Sequence, residues 1–157
     1  MYKRFTQIDW REKRIYMAGL SFLQMMGYKT AREYCENTVL AIFDVNTDEI
    51  LFFSNSIDRD LEHVMRDDID KYHSYIDKSI DTYVDEEFRH AAHEFFSQAH
   101  LRESFNCGLM CESIEYPCHV GKDLIWIRAC YELEQDEDSG RLVATVVLID
   151  VSRMRDQ

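Results

Sequence analysis

Proline is almost missing from this 157-residue sequence: it occurs once, and glycine only five times. Long flexible linkers are therefore excluded, and neither a low-complexity segment nor an internal repeat is visible. Positive charge is the next shortage, with 18 Lys and Arg against 30 Asp and Glu and a formal charge of −12. That balance opposes the phosphate neutralisation that supplies most nucleic-acid affinity, so DNA and RNA are poor partners. Long apolar runs are lacking too. The cleanest, Leu142 to Ile149, contains Thr145 and is far too short to span a bilayer, so no membrane insertion is expected. Met1-Tyr2-Lys3-Arg4-Phe5 leads into charged residues and not into the apolar core of a signal peptide. Five cysteines, an odd number with no secretory signal, fit free thiols in a reducing compartment. The expected location is cytoplasmic.

Hydrophobic residues make up 46% and aromatics 13%, enough for a packed core, and the length suits one domain. Charge is unevenly spread. Residues 1 to 32 carry seven bases and two acids, and residues 33 to 157 carry eleven and twenty-eight, which marks a boundary near Glu33. Before it, Ile15, Ala18, Phe22, Leu23 and Met26 recur at helical spacing up to Gly27, so residues 9 to 26 read as an amphipathic helix needing a partner surface. Thr30 and Glu33 form a candidate capping box for a short second helix.

"TVLAIFDV" from Thr38 and "EILFFS" from Glu49, separated by Asn46-Thr47-Asp48, read as a β-hairpin. Ile57 to Tyr83 is polar with irregular apolar spacing and reads as short helices and turns. Asp85 is placed to cap a helix carrying Phe88, Ala92, Phe95, Phe96 and Ala99 on one face, a pattern that Leu101 and Phe105 continue towards Gly108. Three strands follow: Met110 to Cys118, Leu124 to Leu133 and Leu142 to Val151. The middle one alternates Ile125, Ile127, Ala129, Tyr131 and Leu133 with Trp126, Arg128, Cys130 and Glu132, as a half-buried antiparallel strand does. Strands at both ends of a helical middle imply an α+β fold with a five-stranded antiparallel sheet.

Sharper chemical readings fail on spacing. Cys107, Cys111, Cys118 and His119 could supply four zinc ligands, but no Cys-x-x-Cys pair exists, and Cys111 and Cys118 are an odd number apart in one strand. His90-Ala91-Ala92-His93-Glu94 lacks the His-Glu-x-x-His order of a metalloprotease helix, and Pro117-Cys118 lacks the second cysteine of a zinc deaminase. No phosphate loop or nucleophile elbow is present. The acidic turn Glu134 to Asp138 lacks the ordered ligands and glycine of a calcium loop and reads as a hairpin tip. No metal site and no catalytic residues are assigned, and the chain reads as a non-enzyme.

"FDVNTDEILFFSN", "YVDEEFRHAAHEFF", "GKDLIWIRA" and the closing Asp150-Val151-Ser152, taken in this order, resemble a PAS domain over roughly residues 34 to 152. They are most similar to sensory PAS modules of bacterial diguanylate cyclase-type signalling proteins. The resemblance implies a sensory or regulatory role, binding a small ligand or partner. Its state would be relayed to an effector such as a diguanylate cyclase or kinase. Trp126, Arg128, Asp150, Val151 and Ser152 are the implied relay, and residues 153 to 157 the start of a signalling linker in a longer protein; the alternative is that Met1 is a native start and the protein acts alone by binding a partner. Residues 1 to 33 would be a dimerisation segment using Ile15, Ala18, Phe22, Leu23 and Met26, with a homodimer as the expected state. Ile42, Phe88, Phe95, Ile127, Ala129 and Tyr131 are candidates to line a ligand cavity.

Familiar cofactors of the family fit poorly. Asn106-Cys107 matches only two letters of the flavin motif and falls after the long helix. At 100° per residue His90 and His93 lie about 200° and 140° from Phe88, off the apolar face where a haem would sit. No cofactor is therefore expected. A purely structural homodimerisation module with a filled core, and a small α+β enzyme, are the rival readings.

Overall fold

The structure is a computed structural model that describes residues 38–55 and 71–155. The expected helix over residues 9 to 26, its five interface candidates, the capping box at Thr30 and the boundary near Glu33 lie outside the described residues. β1 (Thr38–Asp44) and β2 (Ile50–Asn55) form the first hairpin. Its turn is organised by Asp44, which is buried at 2% exposure and accepts the amides of Asn46 at 2.9 Å and Thr47 at 3.0 Å. Such a local side-chain bond gives the backbone an alternative to the ladder and stops the strand. Asp48 completes the turn with φ of 66°.

Asp48 has a second task. Both its carboxylate oxygens accept the His73 amide at 3.0 Å, and its carbonyl accepts the Tyr72 amide at 2.9 Å. These are amides that a helix start leaves without internal partners. α1 (Tyr72–Tyr83) is thus capped by a residue of the hairpin, while Lys71, at the cap position, makes no side-chain cap bond and its ammonium donates to the Thr47 carbonyl at 3.3 Å. The sequence reading placed only short helices and turns before Tyr83. The spacing of the buried Tyr72, Tyr75, Ile76 and Ile80 is helical, and it corrects that reading.

After α1 a single 3-10 turn, Glu86–Phe88, leads into α2 (Arg89–Phe96), and α3 (Gln98–Asn106) follows. The long helix expected here is divided at Ser97, whose extended ψ of 146° ends α2 and starts α3. Its hydroxyl accepts the His100 amide at 3.1 Å, an N-cap bond that makes the break favourable. Ala99 consequently leaves the apolar face and is exposed. Asp85, expected as a cap, makes no cap bond, and its carboxylate instead meets His119 at 2.9 Å.

β3 (Cys111–Val120), β4 (Asp123–Gln135) and β5 (Leu142–Asp150) close the sheet in the antiparallel order β2-β1-β5-β4-β3. Gly121 starts the β3–β4 turn with φ of 60°, a left-handed conformation suited to glycine in a two-residue hairpin loop. The acidic tip is held by Asp136, which accepts from the Ser139 hydroxyl at 2.6 Å and the Asp138 amide at 3.3 Å. The single proline, Pro117, sits in edge strand β3, where a missing N–H leaves the ladder to β4 intact.

β5 is the central strand and is buried from Leu142 to Ile149, which explains its unbroken apolar run. Leu142, Ala144, Val146 and Leu148 join Ile127, Ala129, Tyr131 and the buried residues of α1 to α3 in the main core. Val143, Val147 and Ile149 form a second cluster with Leu40, Ile42, Phe52, Cys130 and Val151, to which α1 to α3 contribute nothing.

Candidate functional site

The chain leaves the sheet through an interlocked turn. The Asp150 carboxylate accepts the Ser152 amide at 2.9 Å, and the Ser152 hydroxyl accepts the Trp126 amide at 2.9 Å. The Val151 amide in turn donates to the Trp126 carbonyl at 2.8 Å. α4 (Ser152–Arg155) begins at this turn. Its last residue, Arg155, lays its guanidinium 3.5 Å from the centre of the Trp126 ring and binds Glu115 at 2.9 Å. The other Glu115 oxygen takes Arg128, directly across the β3–β4 ladder, at 3.3 Å.

All five residues expected to form a relay therefore meet at one end of β4. The sequence reading missed Glu115 and Arg155. Glu115 carries no motif, and only the strand register places it opposite Arg128. The ion pairs are partly exposed and a cation over an indole is worth about 0.5–1 kcal/mol in such a setting, so each of these contacts is individually weak.

The cavity candidates do not share one space. Phe88, Phe95, Ile127, Ala129 and Tyr131 lie on or against the main core, whereas Ile42 belongs to the cluster on the opposite face. The physical reason is strand alternation: Ala41 and Phe43 of β1 point to the helices and Ile42 between them points away. The main core is heavily aromatic. Tyr72 stacks on Phe43 with ring centres 3.4 Å apart, Phe53 meets Tyr75 edge-on at 4.7 Å, and Phe95 meets Phe96 at 4.9 Å. The Tyr72 hydroxyl is buried there without a hydrogen-bond partner.

At the margin of this core, α2, the start of α3 and β3 enclose a groove of about 320 Å³ lined by Ala91, Glu94, Phe95, His100, Glu112, Ser113 and Ile114. Behind it stands a polar chain that the sequence did not reveal. The Tyr131 hydroxyl donates to Glu112 Oε2, with Ser104 Oγ 2.8 Å away from the same hydroxyl, and His100 Nε2 meets Glu112 Oε2 at 2.6 Å. Burial acts to raise the Glu112 carboxyl, but the bonds from Tyr131 and His100 outweigh it and hold the group below the usual glutamate range. Burial, reinforced by the Glu112 carboxylate, pushes the Tyr131 phenol above its ordinary value.

The remaining candidate ligands are dispersed. Burial pushes the Cys118 and Cys130 thiols up to about 12 and about 11, which makes them inert, while Cys107 and Cys111 are exposed. His90 is exposed. His93 turns to α1, bonding Asp77 at 3.0 Å and Asp81 at 2.8 Å, and His73 holds the other Asp77 oxygen at 2.8 Å. Among the described residues no group of three or more His, Cys, Asp or Glu is arranged to hold a metal ion, and no helix is long and apolar enough to cross a membrane.

Sheet order, and the three helices described between the second and third strands, define an α+β domain of PAS-like architecture. The chain is similar to the N-terminal domain of a diguanylate cyclase with PAS/PAC sensor from Marinobacter aquaeolei, at 12% identity, TM-score 0.46, and coverage of 75% of this chain and 98% of that one. It is similar to a sensory box histidine kinase/response regulator from Burkholderia thailandensis E264, at 15% identity and TM-score 0.43, covering 76% and 82% of the two chains. An RNA-binding light-oxygen-voltage receptor is similar at 12% identity and TM-score 0.49 over 75% of this chain, which spans 30% of the receptor. No protein-family model and no curated protein matches the chain.

Proposed function

We propose that the chain is a PAS-type sensory or regulatory domain of a signalling protein, passing a conformational bias to an effector through the turn Asp150 to Ser152. The supporting observation is the double tie of that turn to β4: the Ser152 hydroxyl on the Trp126 amide, and Arg155 on the Trp126 ring. A change in the β3–β4 hairpin that moves Trp126 or Glu115 alters the start of α4, the element continuing towards the effector. The effector class, a diguanylate cyclase or a kinase, follows from the resemblance of the sequence to PAS modules of such proteins. Pairing through Ile15, Ala18, Phe22, Leu23 and Met26 would set two exit helices side by side, and transfer requires a ligand or partner that favours one arrangement of the pair.

The test is a fusion of the chain, through Gln157, to a diguanylate cyclase catalytic domain as reporter. Glu115→Gln and Arg155→Gln should each change cyclic dinucleotide output severalfold with the fusion still folded. Unchanged output in both variants and in Ser152→Ala would remove the relay. Truncation before Thr30 should convert a dimer to a monomer in native mass spectrometry.

The rival module without a ligand draws support from the aromatic filling around Tyr72 and Phe43. The enzyme reading would rest on Tyr131, Glu112 and His100. Glu112 is held ionised and Tyr131 held protonated, which suits a structural hydrogen-bond chain better than proton transfer near neutrality.

A further inference from the structure

Glu94, Glu112 and His100 are the titratable side chains lining the groove between α2, α3 and β3, and no Lys or Arg lines it. Both bonds that the protein makes to Glu112 fall on Oε2, from Tyr131 and from His100. Among the described residues Oε1 accepts nothing, and neither does the Glu94 carboxylate. Glu112 is therefore an anion fixed in place by two donors with one oxygen uncommitted, and Glu94 stands by as a second acceptor. His100 is spent on Glu112 and offers no free positive centre to an anion. Ala91, Phe95 and Ile114 supply the apolar remainder. A volume of about 320 Å³ is at the small end of ligand sites, which run from about 300 to 1,000 Å³.

From this arrangement we infer that the groove binds a small organic ammonium ion, its N–H groups on Glu112 Oε1 and Glu94 and its apolar body against Ala91, Phe95 and Ile114. An anion would face two carboxylates. A neutral alcohol of the same shape offers Oε1 one uncharged O–H, and a neutral molecule without a donor would leave that acceptor unpaired. A charged donor on a carboxylate is about twice as strong as a neutral one, which sets the preference. The groove is open, so affinity is modest, with Kd on the order of 0.1–1 mM for a ligand of this size. As the signal of a sensory domain the ammonium ion rests on the function proposed above; as a ligand of the groove it does not.

The experiment is a nitrogen-15 NMR titration of the full chain at pH 7 with three probes of nearly equal shape: phenethylamine, 2-phenylethanol and phenylacetate. Saturating shifts at the amides of Ala91, Glu94 and Ser113 are expected with phenethylamine alone. Glu112→Gln, which keeps an acceptor for Tyr131, and Glu94→Gln should each weaken binding about tenfold, the loss of one charged contact. If Glu112→Gln fails to fold, Glu94→Gln carries the comparison. Phenylethanol or phenylacetate binding as tightly as the amine, or no amine binding below about 10 mM, some tenfold beyond the upper Kd, overturns the inference. The cyclase fusion reads separately: exit-turn variants that change its output while the amine fails to bind leave the relay standing and remove only the ligand class.

Discussion

Glu112 and Glu115 stand three residues apart on β3 and face opposite sides of the sheet: Glu112 pairs across from core residue Tyr131, Glu115 across from Arg128. The groove and the exit clamp are consequently mounted on one hairpin, with the sheet between them. The β3–β4 ladder links Glu112 to Glu115 and Trp126, and Phe88, just before α2, also meets the Trp126 ring edge-on with centres 6.2 Å apart.

The clamp is weak enough to measure by a double-mutant cycle. Glu115→Gln and Arg155→Gln should each lower stability by less than about 1 kcal/mol in urea unfolding, with a coupling of about 0.3–1 kcal/mol between them. Hydrogen exchange of the Val151 amide should quicken in both variants. Strict additivity and unchanged exchange would show that Arg155 does not hold the exit turn.

Tyr72 tests whether the interior is filled. Its buried hydroxyl has no partner, so Tyr72→Phe removes an unsatisfied group and should stabilise the fold by about 1 kcal/mol, seen as a higher urea midpoint at unchanged slope. A lower midpoint would mean that the hydroxyl holds a water or a ligand atom, and would favour a sensing cavity over a solid core.

His93 should make the packing of α1 on α2 depend on pH. Burial lowers its pKa, but the bonds to Asp81 and Asp77 outweigh this and leave it above the ordinary 6.5. The contribution is then fully present below that value and is lost as pH rises through the folded-state pKa. His73 also reaches this junction, through Asp77. His93→Asn should flatten the fall in melting temperature between about pH 6 and 8. A variant with the wild-type slope would place the dependence elsewhere.

Tyr131→Phe removes the donor from Glu112 and a polar neighbour from the buried Ser104, so a loss of about 1–3 kcal/mol is expected. Glu112 has a lowered folded pKa, and its contribution is present above the unfolded value and lost as pH falls through the folded one. In Tyr131→Phe the folded pKa moves up towards the unfolded one, so the loss of stability on acidification should be smaller and complete at a higher pH. An unchanged acid limb in urea midpoints taken from about pH 3 to 7 would count against the hydrogen bond.

Much of the frame was legible before any coordinates. Period-two alternation marked β4, an unbroken apolar run marked the central β5, and Asn46-Thr47-Asp48 marked the first turn, because each signal is local and set by backbone geometry. The five residues named for a relay came from a resemblance to a known pattern, and they lie together around the turn that follows β5. Ile42 was misplaced because the chosen residues were ranked by apolarity without following the alternation along β1. The division at Ser97 and the helix from Tyr72 were missed although a capping serine and a helical spacing were there to read. Tertiary structure alone decided what stands opposite what. It put Glu115 on Arg128, Asp48 at the head of α1 and Glu112 between Tyr131 and His100, pairs separated by 12 to 25 residues. Strand register and helix docking set those meetings, and neither is encoded in any short stretch of chain.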